Sequence, residues 1–296
     1  MRYDVVTELL HLGEGRVLEF TERGPRSGPV VLFHHGMPGS ALPMDSVLDS
    51  ATERGYRVIT YSRPGYGGST RAPGRTVAGA AEECGHLMDH LGVERYLVAG
   101  WSAGGPHALS IAATDPRRVS GVLLIASFAP RDAEGLAFVS GMGVQNHVLF
   151  GSASGDEEQQ RAIVSQMAAL VRDSEPAELA AGMASLLPAA DAAELAGAYG
   201  PDNAAHMNHA LADGADGWLD DLRALTSPWG FDPGDIAAPV ELWHGALDRM
   251  VPVAHGLWLT RRLPTARTRV ENGHGHISIG VGSLGDKLDR LRARTP

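Results

Sequence analysis

Ser102 stands between glycines in Gly100-Trp101-Ser102-Ala103-Gly104, after the apolar run Tyr96-Leu97-Val98-Ala99 and before an Ala/Leu-rich stretch that begins at Pro106. That order predicts a strand, a sharp turn and a helix start. A serine on such a turn is exposed above a sheet, and the backbone N–H groups that follow it can stabilise an oxyanion. Glycines at Gly100 and Gly104 suit a strained turn in which a flanking Cβ would clash. A serine hydroxyl is a poor nucleophile near neutral pH and needs a base, an orienting carboxylate and an oxyanion site. Downstream, His244-Gly245-Ala246-Leu247-Asp248-Arg249-Met250 sets Asp248 just after an apolar run, and Asn272-Gly273-His274-Gly275-His276-Ile277-Ser278 is a glycine-rich loop that can turn a histidine back over a sheet. The chain order is therefore Ser, Asp, His, and the chemistry it suggests is nucleophilic acyl transfer.

His274 and His276 are two residues apart, so in an extended loop they point to opposite sides and only one reaches Ser102. Other reactive side chains fit packing better than chemistry. His86 and His90 are spaced i, i+4, and His206 and His209 i, i+3, spacings that can hold a metal, but neither pair has a third ligand or an H-E-x-x-H pattern. No metal and no organic cofactor is expected. Cys84 falls in a helical stretch with no turn around it and reads as a buried thiol. His34 reads as strand-end packing. The turn from Gly65 to Gly68 lacks the Gly-Lys-Ser/Thr ending of a phosphate loop and reads as a tight turn. Met142, Met167, Met183 and Met207, with Phe138 and Phe150, could line an adaptable pocket, although apolar core is the commoner use of such residues.

Short apolar runs alternate with helical stretches over much of the chain, the pattern of a mainly parallel sheet covered on both faces. Strands are expected near residues 16–22, 30–34, 58–61, 96–99, 119–125, 240–243 and 268–271, and helices near 45–54, 77–91, 103–114, 254–263 and 283–293. Residues 130–226 carry no convincing strand and read as short helices punctuated by Pro176, Pro188, Pro201 and Gly214, with a flexible loop at Gly151-Ser152-Ala153-Ser154-Gly155. The expected organisation is thus α/β, with core residues 1–129 and 227–296 and a helical cap at 130–226 over the carboxyl edge of the sheet, where open α/β sheets bind ligands.

The 296 residues suffice for one large α/β domain with an insertion. Met1 to Val6 holds no apolar leader segment, and runs such as Val122 to Ile125 are far too short to span a bilayer, so a cytoplasmic protein with no membrane partner is expected. One cysteine precludes an internal disulfide and fits a reducing compartment. Between Arg131 and Arg223 there are 15 acidic residues against 4 arginines, and essentially all of the net charge of −10 lies there. Nucleic acid would be repelled, which leaves a small-molecule substrate as the expected partner. A solvated acidic surface is the simplest reading of that segment, with attraction of cationic substrates as the alternative. Oligomeric state has no signature in the sequence.

Five segments in order resemble the α/β-hydrolase fold serine hydrolases, specifically the capped esterase-like group common in actinobacteria. His35-Gly36-Met37-Pro38-Gly39 is similar to the HG-x-P oxyanion loop, and Ser62-Arg63-Pro64-Gly65-Tyr66-Gly67-Gly68-Ser69 to the D-x-P-G-x-G-x-S turn, with Ser62 where Asp is commoner. Gly100 to Gly104, Trp243 to Pro252, and Gly275-His276-Ile277-Ser278, similar to a recurrent G-H-x-S ending, complete the set. The resemblance implies Ser102 as nucleophile, His276 as general base and Asp248 as its orienting acid. Asp132 is the competing acid, at a position some members of the family use. Backbone N–H groups of Met37 and Ala103 would form the oxyanion hole, with His35 bracing the loop and Gly36, Gly100 and Gly104 giving its close backbone approaches. Hydrolysis of an ester, thioester or lactone of a small uncharged or apolar molecule through an acyl-enzyme is the implied reaction. Alternatives on the same fold and triad are C–C bond cleavage, cofactor-free perhydrolysis, cyclisation or elimination in natural-product assembly, imino- or aminopeptidase activity, and a non-catalytic binding role. On this reading the cap sets substrate range more than the chemistry of a minimal ester.

Overall fold

The computed structural model describes residues 7–173, 183 and 185–295. Met1 to Val6 and Pro176 lie outside the described residues. Eight strands form one sheet: β1 (Glu8–Gly13), β2 (Arg16–Arg23), β3 (Val30–His34), β4 (Arg57–Tyr61), β5 (Tyr96–Trp101), β6 (Val119–Ile125), β7 (Val240–Gly245) and β8 (Ala266–Glu271). Their order is β1-β2-β4-β3-β5-β6-β7-β8. The β1–β2 and β2–β4 pairs are antiparallel and every other pair is parallel.

Every residue of β5 is buried, as befits a central parallel strand covered on both faces. Alternation along the strands divides two cores. Leu32 and Val98 face one side with α2 (Ala80–His90) and α3 (Gly104–Thr114). Val31, Phe33, Leu97 and Ala99 face the other with α1 (Asp45–Thr52) and the last helix, Leu284–Arg292.

Between β6 and β7 the chain forms α4 (Val144–Gly151), α5 (Glu157–Asp173), α6 (Ala189–Ala196), α7 (Tyr199–Ala210) and α8 (Asp216–Thr226). Helices α9 (Val253–Arg262) and α10 (Leu284–Arg292) follow. Trp218, Leu219, Leu222 and Leu225 of α8 are buried in the same core as α3, so this insertion is packed onto the sheet layer.

Three local expectations change. β1 was not anticipated: it is an edge strand with Leu9 53% exposed, so its sequence lacks the buried face that makes alternation visible. The flexible loop expected at Gly151–Gly155 contains a 3-10 turn over Ser152–Ser154, where the Gln160 amide donates to the carbonyls of Ser152, Ala153 and Gly155. Pro201 does not interrupt a helix, because it sits in the first turn of α7, where its missing N–H would have no helical partner. No helix among the described residues is long and apolar enough to cross a membrane.

Candidate active site

Ser102 follows the last residue of β5 and has φ 57°, a left-handed conformation that L-residues with a Cβ rarely adopt. The chain can turn so sharply because its flanks are glycines. A Cβ on Gly100 would lie 2.4 Å from the Gly104 carbonyl oxygen, and one on Gly104 would lie 2.1 Å from that of His34. Ser102 thus stands at the carboxyl edge of the sheet, with Ala103 opening α3 directly behind it.

The loop after β7 supplies Asp248 and the loop after β8 supplies His276. His276 Nδ1 donates to Asp248 Oδ2 at 2.8 Å, which leaves Nε2 as the acceptor nitrogen. Asp248 Oδ1 accepts from the N–H groups of Met250 and Val251, both at 2.8 Å, and His244 Nε2 stands 3.4 Å from Oδ2. Burial pushes the Asp248 carboxyl up, but the His276 charge and the hydrogen bonds from His244 and His276 outweigh it and hold Asp248 well below the usual carboxylate range. For His276, burial lowers the imidazole pKa, while Asp248 and, more weakly, Asp191 raise it above the ordinary value.

Gly36 brings the loop after β3 against Ser102: its Cβ position is 3.6 Å from Ser102 Cβ. His35 Nδ1 donates to the Gly36 carbonyl at 2.7 Å, and His35 Nε2 accepts from the Arg63 backbone N–H at 3.2 Å. Burial, reinforced by the neighbouring Arg63 charge, keeps His35 neutral, which this bonding pattern requires. The Arg63 guanidinium donates to the carbonyls of His35 and Gly36, each at 2.7 Å, and pairs with Asp221 of α8 at 2.6 Å. Arg75 reaches the same carboxylate at 2.6 Å and the Tyr66 hydroxyl donates to it at 3.0 Å. The pair is 1% and 0% exposed, so removing either partner would strand a buried charge.

Ser62, the departure from the family's turn, donates to Glu19 Oε2 and accepts from the Ala41 N–H, each at 2.7 Å. A carboxylate is therefore present at this turn, supplied by β2. Glu19 also accepts from the Gly68 N–H and from His209 of α7, at 2.9 and 2.8 Å.

A cavity of about 270 Å³ opens between the sheet edge and the insertion and is lined by Met37, Ser102 and His276. Met167, Met183, Met207, Phe150, Leu149 and Trp218 supply apolar wall from the insertion. Four of the six Met and Phe residues singled out thus border the cavity, Phe150 and Met207 while buried, and Phe138 and Met142 are core only. Among the described residues, no Asp, Glu, Lys or Arg lines the cavity.

Of the competing candidates, only His206 borders this cavity, and its ring is already bonded. Asp132 is exposed and borders a separate surface groove with Trp258 and Arg261. His274 is exposed, and its Nδ1 bonds the Ser278 carbonyl at 3.0 Å. His206 is buried, donating from Nδ1 to Leu42 O at 2.7 Å and accepting from the Ser40 N–H at 3.2 Å. His34 is buried with Nδ1 2.9 Å from the Tyr61 hydroxyl, and burial pushes the Cys84 thiol up to about 12. Among the described residues no group of three or more His, Cys, Asp or Glu side chains could hold a metal ion.

Arg63, Asp221 and Asp191 are not among the residues expected from the sequence. Arg63 was visible inside the Ser62–Ser69 turn, but its partner is 158 residues away. Asp191 of α6 accepts from the His276 N–H at 2.7 Å, the Ser278 N–H at 2.9 Å and the Ser278 hydroxyl at 2.6 Å. The acidic segment is thus not only a solvated surface, because Asp191, Asp220 and Asp221 are buried.

The family model described as alpha/beta hydrolase fold matches residues 29–283. The chain is 30% identical over 119 residues to a bifunctional esterase/perhydrolase of Acinetobacter calcoaceticus, covering 40% of this chain and 43% of that protein. It is 24% identical over 273 residues to the 2-hydroxy-6-oxononadienedioate/2-hydroxy-6-oxononatrienedioate hydrolase of Cupriavidus pinatubonensis, covering 86% and 82%. Against the curated relatives matched at 30% identity or above, the chain spans less than half of their length. An alpha/beta hydrolase fold protein from Chitinophaga pinensis aligns over 98% of this chain and 97% of its own with TM-score 0.72 at 14% identity, a likeness of fold.

Proposed function

The chain belongs to the alpha/beta hydrolase fold family, and from that premise we propose that it is a serine hydrolase cleaving esters, thioesters or lactones of small, neutral, apolar molecules. The observation that carries this reading is Ser102 at φ 57° bordering the same apolar cavity as His276, whose Nδ1 is bound to Asp248 at 2.8 Å.

In this mechanism His276 Nε2 takes the Ser102 proton as Oγ attacks the acyl carbon. Backbone N–H groups of Met37 and Ala103 stabilise the oxyanion, His276 returns the proton to the leaving group, and water hydrolyses the acyl-enzyme by the same route. Asp248 fixes the imidazole tautomer and stabilises its cation. The oxyanion donors are backbone groups, so their aim depends on the loop that Arg63 holds by two carbonyls. The insertion acts as a cap whose methionines shape the acyl site.

The uncharged lining disfavours two alternatives. A dicarboxylate, such as the substrate named for the Cupriavidus relative, would bring anionic charge into a cavity bordered by no Arg or Lys among the described residues. An aminopeptidase would equally lack, among the described residues, an acid to hold a free amine. Perhydrolysis uses the same acyl-enzyme, with hydrogen peroxide replacing water and a peracid leaving; the name of the Acinetobacter relative favours it as the second reading.

Fluorophosphonate labelling tests the assignment. Wild-type protein is expected to label at Ser102 and Ser102→Ala not at all, and labelling that persists at another serine would remove Ser102 from the role.

A further inference from the structure

Asp191 is fully buried, yet all three hydrogen bonds to its carboxylate come from outside the insertion, from the loop that carries His276. It sits in the first turn of α6, where an acidic side chain ordinarily serves its own helix N-terminus. Here its two oxygens instead accept from two backbone N–H groups and one hydroxyl of His276-Ile277-Ser278. Ser278 Oγ in turn accepts from the Gly275 N–H at 2.9 Å, which closes the loop on itself. The fit is tight: a Cβ on Gly275 would lie 2.4 Å from Asp191 Oδ2 and 2.5 Å from Pro188 Cγ. From the opposite side, Trp101 Nε1 donates to the His276 carbonyl at 3.2 Å. The main chain of His276 is thus held between β5 of the core and α6 of the insertion.

We propose that Asp191 is a positioning residue for the hydrolytic reaction, a clamp reaching from the cap to the histidine loop, so that the base is aligned for proton transfer only while α6 is seated. The clamp rests on the hydrolase reading above. It also runs against the expectation that the cap sets substrate range more than the chemistry of a minimal ester: one cap carboxylate sets the base loop, as Asp221 braces the oxyanion loop through Arg63. Two effects follow from one side chain. Geometric alignment of Nε2 depends on three hydrogen bonds, and misplacement of a reacting group by about 1 Å costs on the order of 10²-fold in rate. The buried anion also favours the imidazolium form of His276.

Asp191→Asn tests this, because the amide turns a donor toward N–H or O–H groups that need acceptors. With a minimal acetate ester, which does not fill the cavity, kcat is expected to fall about tenfold or more while KM changes by less than about twofold. The acidic limb of the kcat/KM profile is expected to move to lower pH. The titratable groups facing this joint are Asp248 and His244 from β7 and its following loop, Asp191 from α6, and Tyr199 from α7; only Asp191 is altered. Ser278→Ala, a milder change that removes one of the three bonds, is expected to lower kcat several-fold and decides the matter if Asp191→Asn does not fold. A folded variant with wild-type kcat and an unmoved acidic limb would overturn the clamp. Wild-type protein that does not label at Ser102 would instead overturn the hydrolase reading, so the two failures are distinct.

Discussion

At the scale of single residues, two histidines two positions apart have different surroundings. His276 borders the cavity with Nδ1 on a buried carboxylate, while His274 is exposed and bonded to a backbone carbonyl. His276→Ala is expected to lower ester turnover on the order of 10⁴-fold or more, and His274→Ala by less than about tenfold. Steady-state kinetics with a chromogenic ester checks this, and the opposite ranking would exchange their roles. In the proposed mechanism His276 acts as a base only when neutral, and its pKa is raised above the ordinary 6.5 by Asp248 and Asp191 acting against burial. The acidic limb of kcat/KM therefore inflects above 6.5, with activity lost as pH falls through it. The proposed triad residues stand out in the sequence because each sits in a short motif beside an apolar strand. Asp191 and Asp221 were not, because nothing local marks which of many carboxylates a fold will bury.

Among the elements, the turn after β4 and helix α8 together fix the loop after β3. Lysine in place of Arg63 keeps a charge for Asp221 but loses the planar fork that spans the carbonyls of His35 and Gly36. Arg63→Lys is expected to reduce kcat by about 10²-fold with a small change in KM, as a displaced oxyanion donor requires. A KM effect with unchanged kcat, measured over a full substrate range, would assign Arg63 to binding. Seven of the strands could be read from the sequence because continuous or alternating burial leaves a periodic record. β1 pairs only with β2 at the sheet edge, and its exposed Leu9 breaks that record. The insertion was legible as helical but not as an interface, since Glu19 to His209 and Arg63 to Asp221 are contacts between distant segments.

For the molecule as a whole, a net charge of −10 coexists with a reaction cavity that no charged Asp, Glu, Lys or Arg borders among the described residues. The buried acids Asp191 and Asp221 reach the site through its loops and not through the cavity wall, and in the proposed function the substrate is read by apolar fit. Neutral acyl esters are expected to exceed analogues carrying a terminal carboxylate by about 100-fold or more in kcat/KM, since an unpaired anion is costly in apolar surroundings. Equal rates would contradict the neutral-substrate assignment. The proposed hydrolysis requires a covalent acyl intermediate on Ser102, which rapid-quench peptide mass spectrometry during turnover of a short neutral ester would detect. The substrate's acyl mass is expected on the peptide containing Ser102, with neither adduct nor turnover in Ser102→Ala. An adduct on a different residue, or turnover that survives in Ser102→Ala, would contradict it.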